Sequence, residues 1–396
     1  MRRLIAVAGG RGAGAILQLA LLYRLSEATE VVAELVTLLI AMGFVSSLLR
    51  AGVEFEILRA AAAGRMADAL SEEVTRLRRR ALLILLAVVA VAIAVPGVGL
   101  TFGAAVMLGL AHCAAWIASA SFEARGRTLT SALFQGLTLY GSLWVLLPLH
   151  EVAALRPAVY AIAAAVLALA FAGLGVWANR SNAAPRDPVV GRSEPRRAIA
   201  AMQVTTSGLA LLVVWLAGYV FGADAAALFG ISQRVTLVLA FGLAAGTWAV
   251  ARSMMDGIAA SPERVRPFEE LHVSTFAVPA LGLGAAGVLF AAPILGLFGE
   301  VPPWGPWVLS AYLAAAAINA ATGPVFVYYR FRAGDERAAR LVVVAVVAAA
   351  SVVATALAWH DVVWLAAAPL AYAVVSNLVP LWLLTRTKEV QSCPAR

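Results

Sequence analysis

The sequence predicts an all-α polytopic membrane protein of about twelve transmembrane helices in two six-helix bundles. Three observations carry this expectation. The chain of 396 residues is 62% hydrophobic and only 13% charged, about half the charged share of a soluble domain. Its mean hydropathy of +0.89 comes from apolar runs spread over the whole length rather than from one segment. Its basic residues fall in alternate loops between those runs, which is the pattern of membrane topology.

Runs long enough to span fall near 4–24, 30–50, 81–100, 102–122, 128–149 and 155–178. Six more fall near 198–221, 224–251, 273–298, 305–328, 338–359 and 362–385. Each approaches the length of about 20 residues that crosses a bilayer as helix. Between the sets lies NRSNAAPRDPVVGRSEPRR (179–197), rich in Pro, Ser and mixed charge, and such a stretch reads as a linker. The expected organisation is therefore an N-terminal bundle over 1–179, a cytoplasmic linker over 180–197 and a C-terminal bundle over 198–396. Weak parallels between the halves, such as FEARGRTLTSALFQG (122–136) against YYRFRAGDERAARLVVV (328–344), place an Arg and a Gly in matching turns. The start, MRRLIAVAGGRGAG, reads as an uncleaved first span, because Arg11 interrupts the apolar region and no small-residue cleavage site follows.

With the N-terminus inside, 26 of the 30 basic residues lie in inner loops and tails, and two, Arg24 and Arg156, lie outside. Arg11 and Arg234 lie within spans. This asymmetry predicts cytoplasmic termini, and the setting expected is a bacterial cell inner membrane. The net charge of +8 follows from these loops and implies membrane lipids rather than nucleic acid as the partner. The segment LRAAAAGRMADALSEEVTRLRRR (58–80) is too polar to span and is expected to lie at the cytoplasmic interface with its arginines toward anionic headgroups.

Motifs for catalysis, cofactors and metals are absent, so the sequence predicts neither an enzyme nor a cofactor. GLGAAG (282–287) fits a dinucleotide pattern, but it lies inside a span, where small residues serve helix packing. Cys113 and Cys393 are too few and too far apart for a disulfide framework. His112 reads as a hydrogen-bonded core residue. Pro279, Pro324 and Pro369 interrupt the ninth, tenth and twelfth spans, where they either bend a moving bundle or merely curve its helices.

The chemistry left to explain is charge inside the membrane. A charge at a helix centre costs about 2.5–3.5 kcal/mol on insertion scales, so it usually faces protein or a wet cavity. Arg11 is near enough to the inner surface to snorkel. Arg234, in ISQRVTLVLAF (231–241), is about 15 Å of helix from either surface, beyond easy snorkelling. Glu34 is the one acidic residue placed well inside a predicted span, and either it or a helix-end carbonyl is a candidate partner for Arg234. Cationic cargo needs carboxylates, whereas guanidinium groups pair bidentately with phosphate oxygens. An excess of buried arginine therefore points to an anionic, phosphate-bearing substrate.

Three stretches resemble oligosaccharide flippases of the multidrug/oligosaccharidyl-lipid/polysaccharide (MOP) exporter superfamily. They are LIAMGFVSSLLRAGVEFEILR (39–59), ADAAALFGISQRVTLVLAFGLAAGTWAVARSM (223–254) and YLAAAAINAATGPVFVYYRFRAGDERAAR (312–340). The resemblance implies a MOP/MATE-like fold. It implies flipping of a polyprenyl-diphosphate-linked oligosaccharide from inner to outer leaflet, in polysaccharide or lipopolysaccharide biosynthesis, by alternating access of two halves. It carries substrate headgroup binding onto Arg24, Arg59, Arg234 and Arg50, and polysaccharide-assembly proteins are the implied partners. The alternative is a multidrug or cation antiporter of the MATE type, for which Glu34 would be the coupling carboxylate.

Overall fold

The computed structural model describes residues 2–50, 57, 66–94, 99–153, 155–179, 196–237, 277–322, 325–326, 329 and 335–386. Among them every element is helical and no strand occurs. By residue contact the chain divides into Met1–Arg234 and Val235–Arg396. That division groups residues by packing, whereas the two halves read from hydropathy group them by number of crossings.

In the first unit the helices are α1 (Arg2–Arg24), α2 (Thr29–Arg50), α3 (Met66–Ala94) and α4 (Gly99–Ala124). They continue as α5 (Thr128–Ala153), α6 (Pro157–Ala178), α7 (Arg196–Phe221) and α8 (223–237), of which the residues through Arg234 belong to this unit. Seven helices among the described residues are long and apolar enough to cross a membrane, including α2, α4, α5, α6 and α7. Their outward faces carry Val145, Leu149, Phe171, Trp177, Trp215 and Tyr219, all exposed. So much exposed apolar surface is the mark of a lipid-facing wall. This is a multi-pass membrane protein.

Local sequence explains where these helices begin and end. Glu30 sits in the first turn of α2 and Arg50 in its last, each opposing the helix-dipole charge at its end. Pro157 opens α6 at a position that needs no amide hydrogen. Gly126 and Gly222, with φ of 74° and 96°, make the turns before α5 and α8, a conformation that side chains resist.

Helix α4 is the hub of this unit and packs against α2, α3, α5 and α6, while α1 lies along α5 and α7 along α2. Small and hydroxyl residues set these crossings. The Oγ atoms of Ser119 and Ser131 lie 2.9 Å apart between α4 and α5. Trp144 donates from Nε1 to the Leu17 carbonyl at 2.7 Å, which ties α5 to α1.

The polar segment before the third span is continuous with the helix that follows it. Helix α3 runs unbroken from Met66 to Ala94, so the polar stretch from Met66 and the apolar stretch after it are one element. No Gly or Pro interrupts 66–94, and Arg76 bridges back to Glu72 and Glu73, which favours continued helix. Leu70 and Leu77 pack into an apolar cluster with Val45, Leu49, Val106 and Cys113. Arg80 donates to the Leu49 carbonyl at 2.7 Å, capping the end of α2. The first turns of α3 therefore bind protein, and Arg78 and Arg79 are the pair left exposed toward solvent or headgroups.

The second unit contains α9 (Val278–Leu289), α10 (Ala291–Gly296), α11 (Gly305–Thr322), α12 (Asp335–Trp359) and α13 (Val362–Ala373). A π-helical turn, Val374–Leu378, joins α13 to α14 (Val379–Arg386). Helix α11 packs against α9 and α13, and α12 packs against α13. The GLGAAG stretch has the packing role expected of it. A Cβ on Gly284 would lie 2.6 Å from that of Ala317, and one on Gly287 would lie 3.0 Å from Leu313. These glycines let α9 close on α11.

Pro279 falls in the first turn of α9, and Pro369 lies inside α13 five residues before the π turn. Pro324 lies outside the described residues. The π turn brings Asn377 inward, where its Oδ1 accepts from Thr322 of α11 at 3.2 Å. Its Nδ2 donates to the Ala373 carbonyl at 2.9 Å. The Thr322 hydroxyl proton is shared with the Ile318 carbonyl at 2.8 Å, so it keeps an acceptor if Asn377 is lost. Asn377→Ala is accordingly expected to lower thermal stability by about 1 kcal/mol, the worth of an ordinary hydrogen bond. Asn377→Asp keeps an acceptor for Thr322 but buries a carboxyl group and drops the Nδ2 donor to Ala373, so its melting temperature should be no higher than that of Asn377→Ala.

Candidate functional site

Helices α2, α4, α5 and α8 bring a group of polar side chains together inside the first unit. Arg234 is placed by α8. Gly230, one turn earlier and on the same helical face, lets α8 approach α2 so closely that an added Cβ would meet Val36. Arg234 is thereby held 7% exposed, with its Nε buried and lacking a hydrogen-bond partner among the described residues. Tyr140 of α5 lies in the field of Arg234. No carboxylate among the described residues forms an ion pair with it.

On α4, His112 and Trp116 are four residues apart and share one face. Trp116 donates from Nε1 to His112 Nε2 at 3.0 Å. The face of the same indole carries Arg50, whose Cζ lies 4.0 Å from the ring centroid. Such a cation–π contact fixes a guanidinium without neutralising it. His112 lies in the field of both Arg50 and Arg234. The site is thus a basic, hydrogen-bond-donating cluster on four helices, within a membrane-embedded unit.

Two of the residues expected at a substrate site stand elsewhere. Arg24 pairs from Nε with Glu151 at 3.0 Å, where the ends of α1 and α5 meet, and both side chains are substantially exposed. Glu34 is partly buried on α2, beside the Ala158 backbone in the first turn of α6 and in the field of Arg156. No ion pair joins it to Arg234 among the described residues. Arg59 lies outside the described residues.

No protein-family model matches the sequence, and no curated protein sequence matches it. Solved structures do. The chain superposes on an outward-facing multidrug resistance MATE family transporter of the MOP superfamily with a TM-score of 0.55 and 16% identity, over 97% of this chain and 95% of that one. An inward-facing multidrug resistance MATE family transporter of the same superfamily gives 0.54 and 16% over 96% and 100%. A MATE structure in complex with MaD5 gives 0.53 and 16% over 98% and 96%. The chain shares the fold of these transporters. Outward- and inward-facing forms match equally well, so the likeness concerns the fold and not a conformational state. At this identity it leaves the cargo to be argued from the site.

The sequence reading missed Trp116 as a member of the site and treated His112 as core. The spacing of four between them was visible on the predicted fourth span. The contact of Trp116 with Arg50 was not, because it depends on how α2 crosses α4.

Proposed function

We propose that the chain is a transporter that moves a polyprenyl-diphosphate-linked oligosaccharide from the inner to the outer leaflet by alternating access, with its termini in the cytoplasm of a bacterial cell. One observation carries the choice of cargo: Arg234 is buried within the membrane-embedded unit with no carboxylate paired to it among the described residues. A cationic drug would meet repulsion there, whereas a phosphate would supply the missing charge and the acceptors for its hydrogen bonds. The MOP fold supports the transporter reading, and the resemblance of 39–59, 223–254 and 312–340 to oligosaccharide flippases supports the glycan. The membrane potential favours outward movement of an anion by about 2.3 kcal/mol per charge per 100 mV. Arg50 and Arg234 are the residues assigned to the diphosphate. The partners fitting this reading are polysaccharide-assembly proteins that receive the glycan outside.

Deletion in the native cell is expected to leave lipid-linked glycan on the inner leaflet, read by protection from an external glycosidase or periodate. Restoration by the wild-type gene and failure of an Arg234 variant support the proposal. A normal glycan distribution in the deletion strain overturns it.

A second reading rests on the fold neighbours, two of which are described as multidrug resistance transporters. A cation antiporter of that type needs a titrating carboxylate, and Glu34 is the candidate. Its place beside the first turn of α6, unpaired with Arg234, gives a distinct expectation. Glu34→Gln removes the charge and keeps the shape, so on the glycan reading transport should persist within about twofold. Drug resistance conferred by the chain and abolished by Glu34→Gln would favour the antiporter.

A further inference from the structure

We propose that His112, locked by Trp116, is itself a ligand-binding residue that donates its Nδ1–H to the phosphate oxygens drawn in by Arg234. The proposal rests on the anionic reading of the site and extends it to a residue and an atom. An indole N–H can only donate, so the bond from Trp116 Nε1 requires a lone pair on His112 Nε2. The ring is then the neutral tautomer with its proton on Nδ1. That nitrogen is buried and has no hydrogen-bond partner among the described residues. A buried donor without an acceptor is costly and uncommon.

The charged groups that act on His112 are Arg50 of α2 and Arg234 of α8. Guanidinium groups have no acceptor to offer, so neither can satisfy the Nδ1 proton. A diphosphate, with oxygens on two phosphorus atoms, can accept from Arg234 and from His112 together.

Trp116 is the positioning residue in this arrangement. Its N–H sets the His112 tautomer, and its ring face holds Arg50. A single indole thus prepares two separate groups for one anion. The neutral imidazole adds a hydrogen bond without a third buried positive charge, which keeps the empty site tolerable between transport cycles.

The test uses the full chain in lipid nanodiscs with imidazole nitrogens isotopically labelled, the His112 signals being assigned by difference with His112→Gln. Inorganic pyrophosphate and a short-chain polyprenyl diphosphate are the two probes. In the wild type, the nitrogen spectrum should show the Nδ1-protonated tautomer, and the Nδ1 signal should move when a probe binds. A response to the lipid alone identifies a lipid headgroup as the occupant, and a response to pyrophosphate alone identifies a free phosphate. Either response supports the role of His112.

His112→Asn places an amide N–H where Nδ1 was and should keep affinity within about threefold. His112→Gln, whose amide falls where Nε2 was, should lose about tenfold, the worth of one hydrogen bond to a charged group. Trp116→Phe keeps the ring under Arg50 and removes the N–H, so it should scramble the tautomer with a similar loss. An Nε2-protonated His112 in the wild type overturns the proposal. So does an unmoved Nδ1 signal when a probe binds and Arg234→Ala abolishes that binding, in which case the anion site stands without His112. Failure of both probes to bind the wild type removes the anion reading together with this extension of it.

Discussion

Arg234→Met is expected to abolish glycan transport while leaving the protein at least as stable as the wild type. The two effects have opposite signs for one physical reason. A buried guanidinium with no ion pair among the described residues carries an insertion cost of about 2.5–3.5 kcal/mol. Methionine fills a similar volume without that cost, so the melting temperature in detergent should hold or rise. Replacing a buried charge by an apolar residue is often neutral or stabilising in this way. Function moves the other way on the proposed reading, in which a substrate phosphate loses its bidentate partner. Removing one charged partner from a desolvated pair typically costs about 2–5 kcal/mol, or roughly 30-fold to several thousand-fold in affinity. Arg234→Lys keeps the charge but loses the fork geometry, so an intermediate loss of about tenfold is expected. Transport is measured by accumulation of inward-facing glycan, and stability by thermal unfolding of the purified variants. If Arg234→Met instead destabilises the protein strongly, the guanidinium serves the fold and the anionic-cargo argument fails.

The fold was legible in the sequence because membrane insertion is governed by properties that are local in the chain. Apolar length marks where a helix can cross, and this placed α2, α4, α5, α6 and α7 close to their observed ends. The burial of Arg234 was legible for the same reason. What escaped was everything set by contact between distant segments. Helix α3 looked like an interfacial segment followed by a separate span, because hydropathy changes sharply near 80. The backbone, meeting no breaker, continues through that change, and Leu70 and Leu77 dock on α2 and α4. The π turn at Val374–Leu378 has no hydropathic signature, and Pro369 gave only a nearby hint. Glu34 looked like a partner for Arg234 because both lie inside predicted spans. The structure assigns its carboxylate to the first turn of α6, a contact invisible in one dimension.

Gly230→Ala is expected to destabilise the first unit and to impair transport, against the usual effect of that substitution. In a helix interior Ala is normally more stable than Gly by about 0.5–1 kcal/mol, so any loss has to come from packing. Here the new Cβ would meet Val36 Cγ1 and lie 2.8 Å from Val36 Cβ. Val36 is itself fully buried on α2, so it has little room to rotate away. Overpacking of this kind costs about 1–3 kcal/mol, enough to reverse the sign of the propensity gain. The strain is relieved by moving α8 away from α2, and Arg234 follows one turn later on the same face. The substitution therefore shifts the guanidinium without altering it, and it separates position from charge as requirements of the site. The double variant Gly230→Ala with Val36→Ala removes both Cγ atoms and should recover part of the melting temperature and part of the transport together. Recovery of stability without transport would mean that the site tolerates no displacement of α8. A Gly230→Ala protein more stable than wild type would show that α8 and α2 are not in close contact, and would remove the basis for the buried position of Arg234.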